Sequence, residues 1–344
     1  MRAIVIHGAK DLRIEERDVS GPGPGQVRIR LAMGGICGSD LHYYHHGGIG
    51  DTIRLKEPMI LGHEVSGQVE ALGSGVIGLS IGDLVAVSPS RPCGRCGYCH
   101  AGLPNHCENM QFYGSAMPFP HIQGAFREVL IADASQCVQA NGLTAGEAAM
   151  AEPFAVTLHA TRRAGDLLGK RVLVTGSGPI GTLSVIAARV AGAAEIVVTD
   201  LEDTALQFAS TVGADRVMNV TRDAAALDAY QAGKGYFDVL YECSGSAVAL
   251  ASAITAMRPR GVILQLGLGG DMTLPMQALT AKELDLRGSF RFHEEFATAV
   301  HLMQSGQVDV APLISHTVPL DDAQSGFDLA GDRRQAMKAQ IDFS

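Results

Sequence analysis

The sequence lacks the features that would assign it to a membrane or to a nucleic acid. No apolar stretch of 18 or more residues occurs in the 344-residue chain, so no segment is expected to span a bilayer. The formal net charge is −9, from 27 basic and 36 acidic residues, and no long run of Lys or Arg interrupts it. This balance argues against a polyanionic partner. We therefore expect a protein that acts on a small molecule. The first residues, MRAIVIHGAKDLRIEE, have no signal-peptide core, so we expect a cytoplasmic location.

Charged residues are also few, at 18% of the chain, whereas apolar residues make up 47% and glycine occurs 41 times. This composition excludes a disordered chain or a coiled coil, and it indicates large cores joined by many tight turns. The chain is longer than the ~100 to 150 residues of a usual domain, so we expect two domains.

The pattern of apolar runs changes along the chain. Up to about residue 150, short runs such as QVRIRLAMGGIC and EVSGQVEALG are bounded by Gly and Pro, which is typical of a mostly β domain. From Lys170 onward, strand-like runs such as RVLVTG and EIVVTD alternate with helical stretches such as 179–191, which predicts a doubly wound parallel sheet. The helical HEEFATAVHLMQSGQ and the strand-like SHTVPL near the C-terminus are assigned to the first domain. The predicted domains are residues 1–150 with 294–344, and residues 151–293.

A glycine motif follows the first strand-like run of the second domain. It reads Gly176-Ser177-Gly178-Pro179-Ile180-Gly181 and precedes a helical stretch. Glycines in this G-x-G-x-x-G pattern allow a tight turn and let the backbone approach a pyrophosphate at the helix N-terminus. Asp200, 19 residues past Gly181, ends the next run and would accept hydrogen bonds from the adenosine ribose. Glu202 and Asp203 add negative charge with no Arg or Lys nearby, so we expect NAD to be preferred to NADP.

Four of the seven cysteines crowd into the segment SRPCGRCGYCHAGLPNHCEN, and they are Cys93, Cys96, Cys99 and Cys107. Four thiolates can close a tetrahedron around Zn²⁺ and leave no position for a substrate, which predicts a structural zinc site. An iron–sulfur cluster would place the fourth cysteine sooner and follow it with Pro. A DNA-reading zinc ribbon is disfavoured by the net charge. Cys137 and Cys243 are expected to be ordinary buried thiols.

A second set of metal-ligand residue types is spread over a longer part of the chain, and it comprises Cys37, His63, Glu64 and Glu152. A catalytic zinc typically takes three protein ligands of such types and leaves the fourth position open. Each residue also has an ordinary interpretation, as a buried thiol, a satisfied histidine or a carboxylate at a helix start. Spacing alone does not unite them.

The order of the motifs resembles that of the zinc-dependent medium-chain dehydrogenases. The segments GGICGSDLHYY, GHEVSG, GDLVAVSP, the four-cysteine lobe, AEPFAVTLHA and GSGPIG occur in that family's order over essentially the whole chain. The similarity is greatest to the polyol branch, which includes sorbitol, xylitol and threonine dehydrogenases. Within it, HYYHHGGIG, FYGSAMPFPH and RGSFRFHEEFATAV most resemble a member that oxidises a sugar acid. The resemblance implies an α/β protein with a Rossmann doubly wound parallel sheet plus a GroES-like β-barrel catalytic domain.

The resemblance also implies an enzyme with one catalytic and one structural zinc that oxidises a polyol or a sugar acid. Cys37 and His63 would bind the catalytic zinc, with either Glu64 or Glu152 as the third ligand. The implied proton relay is Ser39 with His42, and Glu152 would also act in catalysis. A homo-oligomer, either a tetramer or a dimer, is the implied assembly.

Further residues are implied to contact the substrate and the cofactor. The implied substrate contacts are Tyr43, Glu152, Arg291 and Phe292, and sorbitol dehydrogenases usually have Tyr at the position of Phe292. The implied cofactor contacts beside the glycine motif are Leu266, Gly267, Leu268, Ser289 and Phe290.

The alternatives within the family are a sorbitol- or xylitol-type polyol dehydrogenase and a threonine dehydrogenase. A zinc-independent quinone reductase of the same fold would need neither metal site. From another class, a non-catalytic regulator or structural protein that binds NAD and zinc would have no physical need for an open metal site with a relay. The intact Cys37, Ser39, His42 and His63 argue against it.

Overall fold

The computed structural model describes the whole chain, residues 1–344. Its N-terminal part is mostly β, as the Gly- and Pro-bounded runs predict. The strands are β1 (Arg2–Gly8), β2 (Asp11–Glu16), β3 (Gln26–Gly35), β4 (Gly48–Ile49), β5 (Ile53–Arg54), β6 (Met59–Ile60), β7 (Glu64–Leu72), β8 (Leu84–Val87), β9 (Ser90–Arg91), β10 (Gln111–Phe112), β11 (Val129–Asp133) and β12 (Cys137–Gln139). The helices are α1 (Gly38–His46), α2 (Gly97–His100) and α3 (Ala145–Ala149).

Strand β3 organises the main sheet of this part. Its sequence alternates apolar and polar residues, so Val27, Ile29 and Leu31 are buried in the core while the intervening side chains are more exposed. It pairs antiparallel with β7 along most of its length, and with β11 at its N-terminal half. The last residues of β3 are therefore held beside the first residues of β7, which brings Gly35 opposite Glu64.

The middle of the chain forms the predicted doubly wound sheet. Its strands are β13 (Arg171–Thr175), β14 (Glu195–Asp200), β15 (Arg216–Asn219), β16 (Phe237–Glu242), β17 (Met257–Gln265) and β18 (Asp285–Gly288), and its helices are α4 (Ala151–Ala164), α5 (Pro179–Val190), α6 (Asp203–Thr211), α7 (Ala247–Ala256) and α8 (Met276–Ala281). All strands are parallel, in the order β15-β14-β13-β16-β17-β18. The order reverses at β13, so a crevice forms at the carboxyl ends of β13 and its neighbours, where ligands bind in such sheets. The predicted fold class is confirmed.

The C-terminal segment returns to the first sheet. It contains α9 (Glu295–Gln304), β19 (Ile314–Pro319), α10 (Ala323–Gly331) and β20 (Lys338–Asp342), which confirms the predicted helix and strand. Strand β20 pairs with β3 and with β19, which completes the order β12-β8-β7-β3-β20-β19. Strands β19 and β20 therefore belong to the sheet of the N-terminal part, whereas α9 packs on α4. Short 3-10 helices lie at Pro104–His106, Ala134–Gln136, Asp228–Gln231, Ala311–Leu313 and Leu320–Asp322.

None of the helices combines the length and the apolar character that crossing a membrane requires.

The docking of α10 can be tested at Phe327. This ring is fully buried and makes edge contacts with Tyr44 of α1 and with Phe126, at centroid distances of 5.4 and 6.3 Å. Phe327→Ala should lower the free energy of unfolding by about 3–5 kcal/mol, because it leaves a cavity between these rings. Denaturant unfolding measures the change, with Ile77→Ala at a 91% exposed position as the control. An equal effect of both variants would contradict this packing.

Candidate active site

Two polar residues of α1 follow Cys37, the residue that precedes the helix. Ser39 and His42 are three residues apart, which places them on one face of the helix. Ser39 lies close enough to hydrogen-bond the Cys37 thiol, and His42 lines the larger cleft described below. Burial, together with the neighbouring His46, lowers the pKa of His42 below its ordinary value. The ring is therefore neutral and able to accept a proton at neutral pH.

Three of the predicted metal ligands come together in the structure. Cys37, His63 and Glu64 each offer a ligand atom, and these atoms all lie within 4.8 Å of one another. Glu64 is the first residue of β7 and His63 precedes it, while Gly62 before them has φ +89°, in the left-handed region. A Cβ at Gly62 would lie 2.1 Å from the Phe126 ring, so only glycine allows this turn. The N-terminus of α1 and that of β7 thus converge on one point.

The fourth candidate ligand, Glu152, faces the same site from the first turn of α4. It is 5% exposed and forms no ion pair. Burial, with the charges of Glu64 and Cys37, raises the pKa of Glu152 to about 8, although His63 opposes the shift. Burial and Glu64 likewise raise the pKa of the Cys37 thiol to about 12. A thiol and two carboxylates crowded into a water-poor site favour a bound cation, and the donor set of sulfur, imidazole and carboxylate is the one that zinc takes.

Two residues that sequence reasoning missed complete this site. Asp40 is wholly buried and accepts hydrogen bonds from the N–H groups of Cys37 (3.1 Å) and Gly62 (3.2 Å). Its Oδ1 also lies 3.7 Å from His63 Nδ1, a buried atom with no hydrogen-bond partner. Asp40 therefore positions both ligand-bearing segments. Its position in C-G-S-D was a usable signal.

The other missed residue is Lys338, the first residue of β20. Its side chain is 2% exposed, forms an ion pair with Glu64, and donates to the Ile36 carbonyl at 3.0 Å. Because an unpaired buried ammonium is costly, Lys338 and Glu64 require each other. The lysine of MKAQIDF points to the same face of the strand as Gln340 and is buried with it, which residue type alone did not indicate.

The four clustered cysteines also come together. The Cys96 sulfur lies 3.5 Å from that of Cys99 and 3.9 Å from that of Cys107, and Cys93 belongs to the same group. Sulfur atoms on a tetrahedron with Zn–S bonds of about 2.3 Å are about 3.8 Å apart, so the lobe has the dimensions of a zinc site. The Arg95 amide lowers the pKa of Cys93 to about 6. Cys137 and Cys243 lie outside both clusters, and burial raises the pKa of each to about 12, as expected for inert thiols.

The glycine motif forms a tight turn between β13 and α5. Gly176 has φ +84°, and a Cβ at Gly181 would lie 1.9 Å from the Gly176 carbonyl oxygen, so both positions require glycine. Gly178 precedes α5, and Pro179 is the first residue of that helix. The free N–H groups of the helix N-terminus can therefore receive a pyrophosphate.

Asp200 is placed at the end of β14, as predicted, but its surroundings differ from the prediction. Its Oδ1 accepts the N–H groups of Leu201 (2.7 Å) and Glu202 (3.0 Å), and its Oδ2 accepts that of Ser177 (2.5 Å). Arg333 also donates to Oδ2 at 3.2 Å. The expectation that no Arg or Lys lies near this acid is therefore wrong. The sequence does not indicate this contact, because Arg333 is 133 residues from Asp200 along the chain and is brought to it by the fold of the C-terminal segment.

Some of the predicted cofactor-binding residues line two cavities. A cavity of about 240 Å³ is lined by Cys37, Glu64, Gly178 and Ile180, and so joins the metal-ligand cluster to the glycine motif. A cleft of about 790 Å³ is lined by His42, Gly267 and Leu268. Leu266 packs against the core of the sheet. Ser289 follows β18, and its hydroxyl is buried with no hydrogen-bond partner, which suits a contact with a bound group.

Arg291 faces the metal-ligand cluster without a carboxylate partner. It has φ +56°, and its guanidinium lies 4.1 Å from the centroid of the Phe112 ring and 4.8 Å from that of Phe290. Phe112 in turn lies 5.6 Å from the His63 ring. Burial lowers the pKa of Arg291, while Glu152 and a tyrosine, Tyr43, raise it. The arginine is therefore half-buried, charged and unpaired, one aromatic ring away from a metal ligand.

The other predicted substrate contacts are placed differently. Tyr43 is 2% exposed, and its hydroxyl accepts the Ala116 N–H at 3.0 Å. Phe292 is wholly buried and stacks on Phe296 in the core, at a centroid distance of 5.7 Å. The Phe292 side chain therefore presents no surface to the cleft, and a substrate contact at this position stays a prediction. Phe290, two residues earlier, is 46% exposed.

Comparisons with known proteins agree with this arrangement. The family described as the alcohol dehydrogenase GroES-like domain matches residues 23–142, and the zinc-binding dehydrogenase family matches residues 179–305. The chain is 42% identical to the L-idonate 5-dehydrogenase (NAD(P)(+)) of Escherichia coli strain K12, over 99% of this chain and 98% of the relative. It is 37% identical to human sorbitol dehydrogenase, over 95% and 91%. The crystal structure of the E. coli L-idonate 5-dehydrogenase superposes with a TM-score of 0.95, at 42% identity and with 99% and 97% of the two chains covered.

The positioning role of Asp40 can be tested by Asp40→Asn, which keeps the shape of the side chain and removes its charge. We expect the affinity of the Cys37–His63–Glu64 cluster for zinc to fall by about ten- to hundredfold, as for other residues that orient metal ligands. Competition with a chelator measures the affinity. Asp51→Asn, at a fully exposed carboxylate, is the control. Equal zinc retention in both variants would contradict the role.

Proposed function

The chain belongs to the zinc-dependent medium-chain dehydrogenases, and from that premise we propose that it is an L-idonate 5-dehydrogenase. It oxidises the C5 hydroxyl of L-idonate to the ketone of 5-keto-D-gluconate, reversibly, with a nicotinamide dinucleotide as the hydride acceptor. The extensive identity to the E. coli enzyme of that activity supports this proposal.

The observation that carries the substrate proposal is the unpaired Arg291. A sugar acid brings a carboxylate, and a guanidinium that stacks on Phe112 and Phe290 without an acidic partner is ready to hold one by two parallel hydrogen bonds. The Phe112 ring lies between Arg291 and His63. This separation leaves room for a carbon chain between the substrate carboxylate, held by Arg291, and the reacting hydroxyl near His63. A neutral polyol would offer this guanidinium hydroxyl groups but no counter-charge.

We further propose two zinc ions per chain. The catalytic zinc is bound by Cys37, His63 and Glu64, the three residues whose ligand atoms form one group, while Glu152 faces the remaining open side. The structural zinc is bound by the four-cysteine cluster, whose sulfur spacing fits a tetrahedron.

The chemistry divides between the bound groups and the chain. When bound, zinc lowers the pKa of a hydroxyl that it contacts, and the nicotinamide ring accepts a hydride. Ser39 lies beside Cys37 and is placed to take the hydroxyl proton. His42, one turn further along α1 and lining the cleft, is held neutral and is placed to pass that proton to solvent.

For the cofactor we propose that NAD is preferred to NADP. Asp200 at the end of β14 is placed to accept the adenosine ribose hydroxyls, and Glu202 beside it forms no ion pair. We propose that the nicotinamide half of the cofactor contacts the residues that follow the ends of β17 and β18, which are Leu266, Gly267, Leu268, Ser289 and Phe290.

A sorbitol- or xylitol-type dehydrogenase is the second candidate, because sorbitol dehydrogenases are also similar over most of the chain. Initial rates of NADH formation with L-idonate, D-gluconate, sorbitol, xylitol and L-threonine separate these functions. We expect L-idonate to give the highest kcat/KM. Sorbitol exceeding L-idonate by an order of magnitude would overturn the substrate and leave the family unaffected. No turnover of any of them would favour a non-catalytic protein.

The role of Arg291 predicts a selective effect of Arg291→Gln. The kcat/KM for L-idonate should fall by about ten- to hundredfold, the value of a hydrogen bond to a charged group, while that for neutral sorbitol changes much less. Steady-state kinetics with both substrates provide the measurement. An equal loss with both would show that Arg291 acts on hydroxyl groups or on the fold.

The catalytic zinc is tested by Cys37→Ser. We expect this variant to lose one of two zinc equivalents and essentially all turnover, while its affinity for NADH is retained, because the glycine motif is untouched. Elemental analysis and NADH fluorescence titration provide the measurements. Cys137→Ser, outside both clusters, should retain both metals. Undiminished turnover in Cys37→Ser would refute the assignment.

A further inference from the structure

A C-terminal arginine reaches across the crevice to the nucleotide-binding turn. Arg333 lies in the segment between α10 and β20, and β20 is hydrogen-bonded into the first sheet. Its guanidinium donates to Asp200 Oδ2, and its Nη2 lies 3.1 Å from the position that a Cβ of Gly178 would occupy. The side chain is 52% exposed, whereas that of Asp200 is 4% exposed. One cationic group therefore lies between the ribose-binding acid and the phosphate-binding turn.

We propose that Arg333 is a specificity-determining residue that lets this site accept a 2′-phosphate, so that NADP is used beside NAD. The proposal rests on the proposed dehydrogenase function and concerns its nucleotide site. The site thus holds a cation supplied by a segment remote in sequence from the nucleotide-binding motif.

Arg333 is the cation of this region that contacts Asp200 and also lies beside Gly178. The other acids near Arg333 are Asp203, Asp332 and Glu202, and two of them have a different basic partner. Arg222 pairs with Asp203, which Asn219 also binds at 2.8 Å. Arg334 pairs with Asp332 of its own turn at 3.3 Å. Glu202 forms no ion pair and keeps the site partly negative.

The hydrogen bonds of Asp200 explain how Arg333 would leave this carboxylate and bind a 2′-phosphate. Three of its four hydrogen bonds come from main-chain N–H groups of the folded turn and cannot move away without unfolding it. Only the bond from Arg333 comes from a half-exposed side chain that can rotate. The ribose hydroxyls of NAD compete with Arg333 for Asp200. A 2′-phosphate instead offers the displaced guanidinium a dianionic partner, with short, charge-assisted hydrogen bonds.

The two cofactors are therefore expected to respond differently to the loss of Arg333. In Arg333→Gln, the Kd for NADPH should rise by about tenfold or more, because a charged hydrogen-bond donor to phosphate is lost. The Kd for NADH should stay constant or fall, because its competitor for Asp200 is gone. The affinity of the wild type for NADPH should also depend more steeply on salt than that of the variant.

Fluorescence titration of NADH and NADPH against the zinc-loaded protein measures these constants without any substrate. Arg334→Gln is the matched control, since it removes the same charge one residue further along, from a side chain that faces Asp332. We expect this control to leave the ratio of the two Kd values unchanged, and Arg333→Lys to retain part of the NADPH affinity.

Three outcomes would overturn the proposal. An equal loss of NADH and NADPH affinity would assign Arg333 to the pyrophosphate, which both cofactors carry. If neither Kd changes in Arg333→Gln, Arg333 does not contribute to cofactor binding, and its ion pair with Asp200 is only a structural contact. If Arg334→Gln weakens NADPH binding as much as Arg333→Gln, the effect comes from the positive charge of the region rather than from a specific contact of Arg333 with the 2′-phosphate. Failure of the substrate proposal leaves this test intact, because binding is measured rather than turnover.

Discussion

The buried ion pair between Lys338 and Glu64 is the constraint on which the rest of the site depends. Both side chains are almost fully removed from water, and leaving either charge unpaired in such a place costs several kcal/mol. The pair therefore ties the first residue of β20 to the first residue of β7. Since β20 also pairs with β3, the C-terminal segment has to close the first sheet for the metal-ligand cluster to exist.

The same closure positions parts of the molecule that carry no metal ligand. The segment between α10 and β20 is drawn across the nucleotide crevice, which brings Arg333 to Asp200 and Gly178. On the opposite side, the four-cysteine lobe contacts the loop after β18, where Asn105 donates to the Phe290 carbonyl at 3.0 Å. The lobe thus anchors the backbone of Phe290, the residue before Arg291. Through this contact the lobe can affect the site by holding the loop after β18.

Sequence reasoning was most successful where the signal is local. The glycine motif, the four cysteines and the alternation of strands and helices are each read from consecutive residues, and the structure places them as expected. Burial at R-G-S-F-R-F is not local information, because two aromatic residues stand two positions apart and only packing decides that Phe290 is exposed while Phe292 enters the core. Sequence reasoning was incomplete at Asp200, because the nearby cation comes from the other end of the chain.

The sequence by itself determined the two-part α/β organisation, the nucleotide-binding turn and the composition of both cysteine-containing sites. These depend on residue type and spacing, which are local properties. Tertiary structure alone decided that Cys37, His63 and Glu64 meet, that Asp40 and Lys338 support them, and that Arg291 is left without an acid. Such features depend on distances between segments far apart in the chain, and those distances are set by strand pairing and by buried ion pairs such as that of Lys338 with Glu64.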